Sequence, residues 1–330
     1  MDSLTPLDQC LDAALHDLAR AAPERVPLSA AIGAPLAEAL VFLHDMPPAP
    51  EALREGFAVS AMALVGASAA VPIPLSAPMR VAPPAILPPG CDAVLPPDGA
   101  EVTSSGWEAI RPVNPGQGVR RTGHDGRADA LIAPAGAWVS ARLCLAAALS
   151  GHDICTIRRP RVVIALPDAA QAAFAGRFFG QLGGQIVAEA PHLILQQSTS
   201  THQRLALAPA ETAWLAREGG ALVLSVPHRF DGMVAACLGL GVPAMAALHG
   251  AAPIAVARPL TRKLSSALGM AELALLTRQD TCWQPGPAGT VTLSALASAN
   301  AYAIIPPDSE GVAAETLLAG FSLSSPFGGT

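Results

Sequence analysis

Charged side chains are scarce in this sequence, at 14% of residues, and aromatic rings are scarcer still, at 4%. With rings and charges in short supply, a chain that is 51% apolar must fill its interior with Ala, Leu, Val and Pro. No block of Lys and Arg occurs anywhere, and 26 acidic against 20 basic residues leave a net charge of −6. Nothing here would neutralise successive phosphates, so no nucleic-acid partner is expected. No uninterrupted apolar run reaches the roughly 18 residues of a membrane-spanning helix, so no membrane partner is expected either. The N-terminus places Asp2, Asp8, Asp12 and Asp17 before Arg20 and lacks the apolar stretch and cleavage site of a secretory signal. A cytoplasmic location follows as an expectation. The six cysteines (Cys10, Cys91, Cys144, Cys155, Cys237, Cys282) include no C-x-x-C pair, which argues against zinc and against a disulfide framework. They are read as reduced and mostly buried, and no protein-held metal is expected.

What is present has a clear order. A chain of 330 residues is long enough for several domains. Leu7, Leu11, Leu15 and Leu18 lie on one helical face over residues 6–20, with Thr5 as N-cap, Pro6 as the first helical residue and Asp8 as a capping-box acid. A second helix is predicted over 26–40, begun by Ser29 and interrupted near Gly33 to Pro35. From Val41 to about Asp129 the density of Pro and Gly excludes helix and predicts short strands and turns. Residues 130–152 turn helical again, with Gly151 as C-cap. An alternating segment follows: a strand over 161–166, a helix from Asp168 to Leu182, a strand over 192–197, a helix after Pro209 closed by Gly219 and Gly220, and a strand over 221–226. That alternation predicts a mostly parallel sheet with covering helices. Asp231 is placed as the cap of a helix running to His249 and bent at Pro243. Short apolar runs from Pro253 onward predict a terminal β domain, and residues 324–330 a mobile tail.

Several local sequences then carry a family likeness. MPPAPEALREGFAVSA (46–61), LPPGCDAVLP (87–96), GVRRTGHDGRADALIAPAGAWV (118–139), RRPRVVIA (158–165), ARPLTRKLSSALGMAELALLTR (257–278) and ASANAYAIIP (297–306) resemble successive segments of the molybdopterin molybdenumtransferase family, the family of MoeA and the gephyrin E domain. The resemblance implies a multidomain α/β protein. Its parts would be a helical or mixed N-terminal domain (1–40 with 130–157), an inserted small β domain (41–129), a shortened MogA/MoaB-like α/β sheet domain (158–250) and a C-terminal β-barrel-like domain (251–330). It also implies a homodimer, molybdopterin as ligand, a molybdoenzyme or molybdenum-cofactor protein as partner, and Mg²⁺ with molybdate where the chemistry is retained.

The chain departs from the family pattern where the chemistry would lie. The motif acid is Glu55, one methylene longer than the family's Asp. The Thr-Gly-Ala turn falls on Pro83, Pro84 and Ala85, and Thr-Gly-Asp-Glu on Leu166, Pro167, Asp168 and Ala169. A Gly-rich phosphate loop has no counterpart beside STSTHQ (198–203), and Gly-Asn has become His228-Arg229 after Pro227. Backbone amides of glycine loops approach phosphates closely and hard cations take oxygen ligands, so both functions are thinned. Glu55 and Asp125 are the candidate catalytic acids. Arg120, Arg121, Pro227, His228 and Arg229 are the candidate cofactor contacts. Competing readings stand beside these: a charged turn for Asp125, an exposed turn for His228 and Arg229, a helix cap for Asp168, and a turn-supporting role for Asp92. The other histidines show no metal-ligand spacing. A hydrolase is disfavoured, because no acid orients His202 and no nucleophile elbow surrounds the serines. The expectation is a degenerate member, a pseudoenzyme that binds molybdopterin or a partner without efficient molybdate insertion; an active divergent transferase and a structural or regulatory scaffold are the alternatives.

Overall fold

The computed structural model describes residues 4–199, 204–324 and 327. The chain divides into two compact units: 1–39, 134–144 and 154–330 form one, and 40–133 with 145–153 the other.

The larger unit is built on one contiguous core. The helix Leu7–Leu15 buries Cys10 and Ala14, while Leu7, Leu11, Leu15 and Leu18 pack beside them, as an amphipathic spacing requires. It is shorter than the sequence suggests. Pro6 holds the cap position, Thr5 instead donates its backbone N–H to Arg204 O at 2.8 Å, and Asp8 caps only Gln9. The expected helix over 26–40 is one turn, Leu28–Ala31, preceded by the strand Pro23–Pro27. That strand pairs antiparallel with Ile154–Arg158. Pairing with a distant strand here overrides local propensity.

The alternating segment makes a five-stranded sheet in the order Gln185–Ile186, Arg161–Ala165, Leu193–Gln197, Ala221–Val226, Trp214–Glu218. The first four run parallel and the last is antiparallel. Trp214–Glu218 overturns the helix expected after Pro209. Gly219 and Gly220 take φ of 57° and 88° and close a tight hairpin, a conformation glycine adopts without a Cβ penalty. The helix Ala169–Gln181 covers the sheet with Phe178 and Phe179, the latter fully buried.

The expected long helix to His249 is present as three consecutive helical segments. Phe230–Ala236 passes through a π-helical stretch, Cys237–Gly241, into Val242–His249, which ends on Gly250 in the left-handed region. Pro243 lacks an N–H, so the backbone widens instead of breaking. Gly241 permits a close approach, since a Cβ there would stand 2.9 Å from the Phe179 ring. The stretch Phe230–His249 is long and apolar enough to cross a membrane, yet 83% of its most apolar window is buried inside the protein, the position of a core helix.

The C-terminal strands form a six-stranded sheet with Leu273, Leu275 and Tyr302 in the same core as the parallel sheet. One strand of this sheet, Leu207–Ala208, comes from the alternating segment and pairs parallel with Ala271–Gln279. One residue of the stretch expected to be a mobile tail is packed instead. Phe327 is buried and stacks on Trp138 at 5.0 Å; residues 325, 326 and 328–330 lie outside the described residues.

The smaller unit matches the Pro- and Gly-rich texture that predicted short strands. One three-stranded antiparallel sheet runs Met79–Val81, Gly56–Val59, Ala93–Leu95; a second runs Ile73–Pro74, Gly106–Ala109, Ala100–Thr103. Gly56 is forced by packing: a Cβ would fall 2.1 Å from the Leu95 carbonyl oxygen. The long helix expected over 130–152 is instead the strand Leu131–Ala133 followed by the helix Ala141–Leu149, with Gly151 at φ 98° beyond its end.

Candidate functional site

The candidate residues form two clusters, each within one unit. In the smaller unit the chain at 121–127 is pinned to residues 46–47, Asp125 N donating to Met46 O and Met46 N to Gly126 O, both at 2.8 Å. Gly126 has the Phe42 ring where a Cβ would be, so this turn admits no larger residue. On the turn, the Asp125 carboxylate meets His124 Nδ1 at 2.9 Å and Arg120 Nε at 3.2 Å, with a further contact from the Arg120 guanidinium. The His124 hydrogen bond, then that of Arg120, holds the Asp125 carboxyl below its usual range. Arg120 also reaches Glu51 at 3.5 Å. Arg121 lies over the backbone of Gly116, whose φ is +80° and whose added Cβ would stand 2.7 Å from that guanidinium. Glu55 is elsewhere engaged, in an exposed pair with Arg80 at 2.9 Å. The structure thus brings Arg120 to Asp125 and does not join Glu55 to them. Asp92 does support local structure, its Oδ1 accepting from Ala61 N at 2.7 Å where a 3-10 turn starts.

In the larger unit the second cluster sits at the C-terminal ends of the parallel strands, where sheets of this kind place their ligands. Asp168 follows Arg161–Ala165 and caps the next helix, accepting from Gln171 N at 2.8 Å. Pro227, His228 and Arg229 follow Ala221–Val226. Pro227 is buried against the Gly232 backbone, whereas the His228 and Arg229 side chains are exposed. Arg229 pairs with Asp231, whose carboxylate also accepts from Gly232 N at 2.8 Å. Burial pushes the Asp231 carboxyl up, but Arg229 and Gly232 together outweigh it and hold it below its usual range. Asp231 is therefore the partner of Arg229 inside the first helical turn, and Arg229 takes the cap position expected for Asp231.

Sequence reasoning missed Gln171. Its Nε2 donates to His228 O at 3.0 Å and ties the helix that follows Arg161–Ala165 to the loop that follows Ala221–Val226, while its Oε1 is shielded and has no donor. His124 and Glu51 were also passed over, though adjacency to Asp125 was a readable signal for His124. Two other histidines hold backbone. His192 Nδ1 accepts from Arg161 N at 2.9 Å, and His249 lies between Leu182 O at 2.7 Å and Arg158 O at 3.2 Å. His202 lies outside the described residues. Cys10, Cys155 and Cys237 are buried and the other three half-buried, and burial pushes Cys237 up to about 12, which leaves it an inert thiol. Among the described residues no three His, Cys, Asp or Glu side chains converge as a metal site.

The class defined by these features is a multidomain α/β protein with a small β unit inserted near its N-terminus and a parallel sheet whose strand-end loops carry polar groups. Residues 5–151 match the family described as the MoeA N-terminal region (domain I and II). The fold is similar to that of the molybdopterin biosynthesis moeA protein from Pyrococcus horikoshii OT3. Their TM-score is 0.77 at 19% identity over 96% of this chain and 99% of that one. It is also similar to the molybdenum cofactor biosynthesis protein from Pyrococcus furiosus, with a TM-score of 0.63 at 16% identity over 96% of this chain and 98% of that one. Residues 5–151 thus resemble the MoeA N-terminal region, and the fold of the whole chain is similar to that of the two proteins named.

Proposed function

We propose that this protein acts in molybdenum cofactor biosynthesis or handling, as a MoeA-like homodimer that binds molybdopterin or a molybdoenzyme partner without efficient molybdate insertion. On this reading the five-stranded sheet is a shortened MogA/MoaB-like domain, and residues 251–330 are the barrel-like C-terminal domain. Arg120 and Arg121 in the smaller unit, and His228 and Arg229 in the larger with Pro227 shaping their loop, are the candidate contacts for anionic groups. Glu55 and Asp125 are what remains of the catalytic acids.

The observation that carries the proposal is that the charged groups of both clusters already satisfy one another. Asp125 is committed to Arg120 and His124, Asp231 to Arg229, and Asp168 to a helix terminus. A divalent cation wants several unencumbered oxygen ligands, and these donors do not fit a resident Mg²⁺. Phosphate transfer needs charge stabilisation aimed at the leaving group, and ion pairs turned inward do not supply it. Exposed His228 and the Arg121 guanidinium still suit an anionic ligand.

The test is incubation of the purified protein with adenylylated molybdopterin, Mg²⁺ and molybdate. Retention of the pterin without release of AMP is expected. AMP release with formation of active cofactor would establish a working transferase, and absence of any pterin binding would leave a scaffold. Sedimentation is expected to give a dimer.

A further inference from the structure

A second polar feature lies on the C-terminal sheet, away from both clusters in sequence. A cavity of about 350 Å³ is lined by Arg258, Arg278, Trp283 and Asn300, among others. Arg258 stacks over the Trp283 ring at 5.1 Å, and its Nε is shielded from solvent with no acceptor. Arg278 stands directly opposite Trp283 on the paired strand, and its backbone N–H is held by Asn300 Oδ1 at 2.7 Å. Among the described residues neither guanidinium forms an ion pair, and no carboxylate lines the cavity.

The wall is fitted around the indole. Gly320 lies beneath Trp283, where a Cβ would be 3.0 Å from the ring, and Trp283 Nε1 donates to Val256 O at 3.2 Å. The cavity adjoins a larger one of about 620 Å³ through shared Ala299, Leu323 and Ser324. That neighbour is mainly apolar, walled by Phe174, Phe178, Val234, Leu238 and Leu296, with Arg177 and Gln181 also on its wall. Two unpaired guanidiniums beside an apolar trough complement one kind of molecule: a compact apolar body bearing a doubly charged oxyanion.

The geometry points to a binding site for a small phosphate monoester, its phosphate between Arg258 and Arg278 and its organic group in the trough walled by Phe174 and Leu238. The site is independent of the proposed pterin-handling role.

The probes are phenyl phosphate, inorganic phosphate and phenylacetate, titrated calorimetrically into the full chain. Phenyl phosphate is expected to bind at least about tenfold more tightly than either of the others, because each of those lacks one half of the complement. Arg278→Gln, an exposed position, is expected to weaken it at least about tenfold with the thermal midpoint unchanged. Trp283 supplies the location: in protein carrying 5-fluorotryptophan, its ¹⁹F resonance, assigned with Trp283→Phe, should shift on titration while those of Trp107, Trp138 and Trp214 stay. Equal affinity in Arg278→Gln, a shift at another tryptophan, or no binding at millimolar phenyl phosphate would each overturn the site. Equal binding of inorganic phosphate would overturn the assignment of the trough.

Discussion

The two units differ in where their ionisable groups sit. In the larger one, Asp231 and His249 are buried at 6% and 3% exposure and bonded to backbone. In the smaller one, Glu55 and its partner Arg80 are more than half exposed and answer mainly to each other. Burial, more than charge, decides how much such a group weighs, because an unpaired group in low dielectric loses solvation it cannot recover. The smaller unit's weak points are accordingly in its backbone, where glycines touch carbonyls and rings.

The sharpest test of that contrast is Gly56→Ala. The new methyl would meet the Leu95 carbonyl oxygen, which cannot move without opening the central strand, and a loss of about 3 kcal/mol in urea unfolding is expected. An unchanged midpoint would remove the claim that close backbone approach holds this unit.

His249 gives the next largest effect. Burial depresses it from 6.5 to about 4, against the pull of the two carbonyls it faces. The unfolded chain then takes up the proton first. His249's contribution is complete above about pH 6.5 and is lost as pH falls through about 4, a change of up to roughly 3 kcal/mol. Urea midpoints measured across that range should slope in the native protein and flatten in His249→Gln.

Asp231→Ala should cost about 1–2 kcal/mol, since it frees Gly232 N–H and Arg229 together. Glu55→Gln should cost about 0.5 kcal/mol or less in the same assay, and added salt should erase even that. A Glu55 effect as large as that of Asp231 would break the comparison from the other side.

Local signals were legible where neighbours in sequence are also neighbours in space. Asp168 as helix cap, the strand Arg161–Ala165 and the helix Ala169–Gln181 follow from patterns within a few residues. The hairpin at Gly219-Gly220 was also readable, because two glycines between apolar runs are a hairpin signal; a helical period was read there instead. By contrast Pro23–Pro27 is a strand only because Ile154–Arg158 lies beside it. At the candidate sites the sequence offered Asp125, Arg120 and Arg229, but not that each would be neutralised by a partner, nor that Gln171 would tie its helix to the loop at His228.

Composition and pattern alone determined a proline- and glycine-rich β insertion, an alternating α/β segment and a family likeness, since all three are written in residue type and spacing. Only the tertiary structure decided which charges face each other and which arginines are left unpaired. Those outcomes depend on side chains brought together from positions far apart in the chain, over distances of a few ångströms that no local pattern encodes.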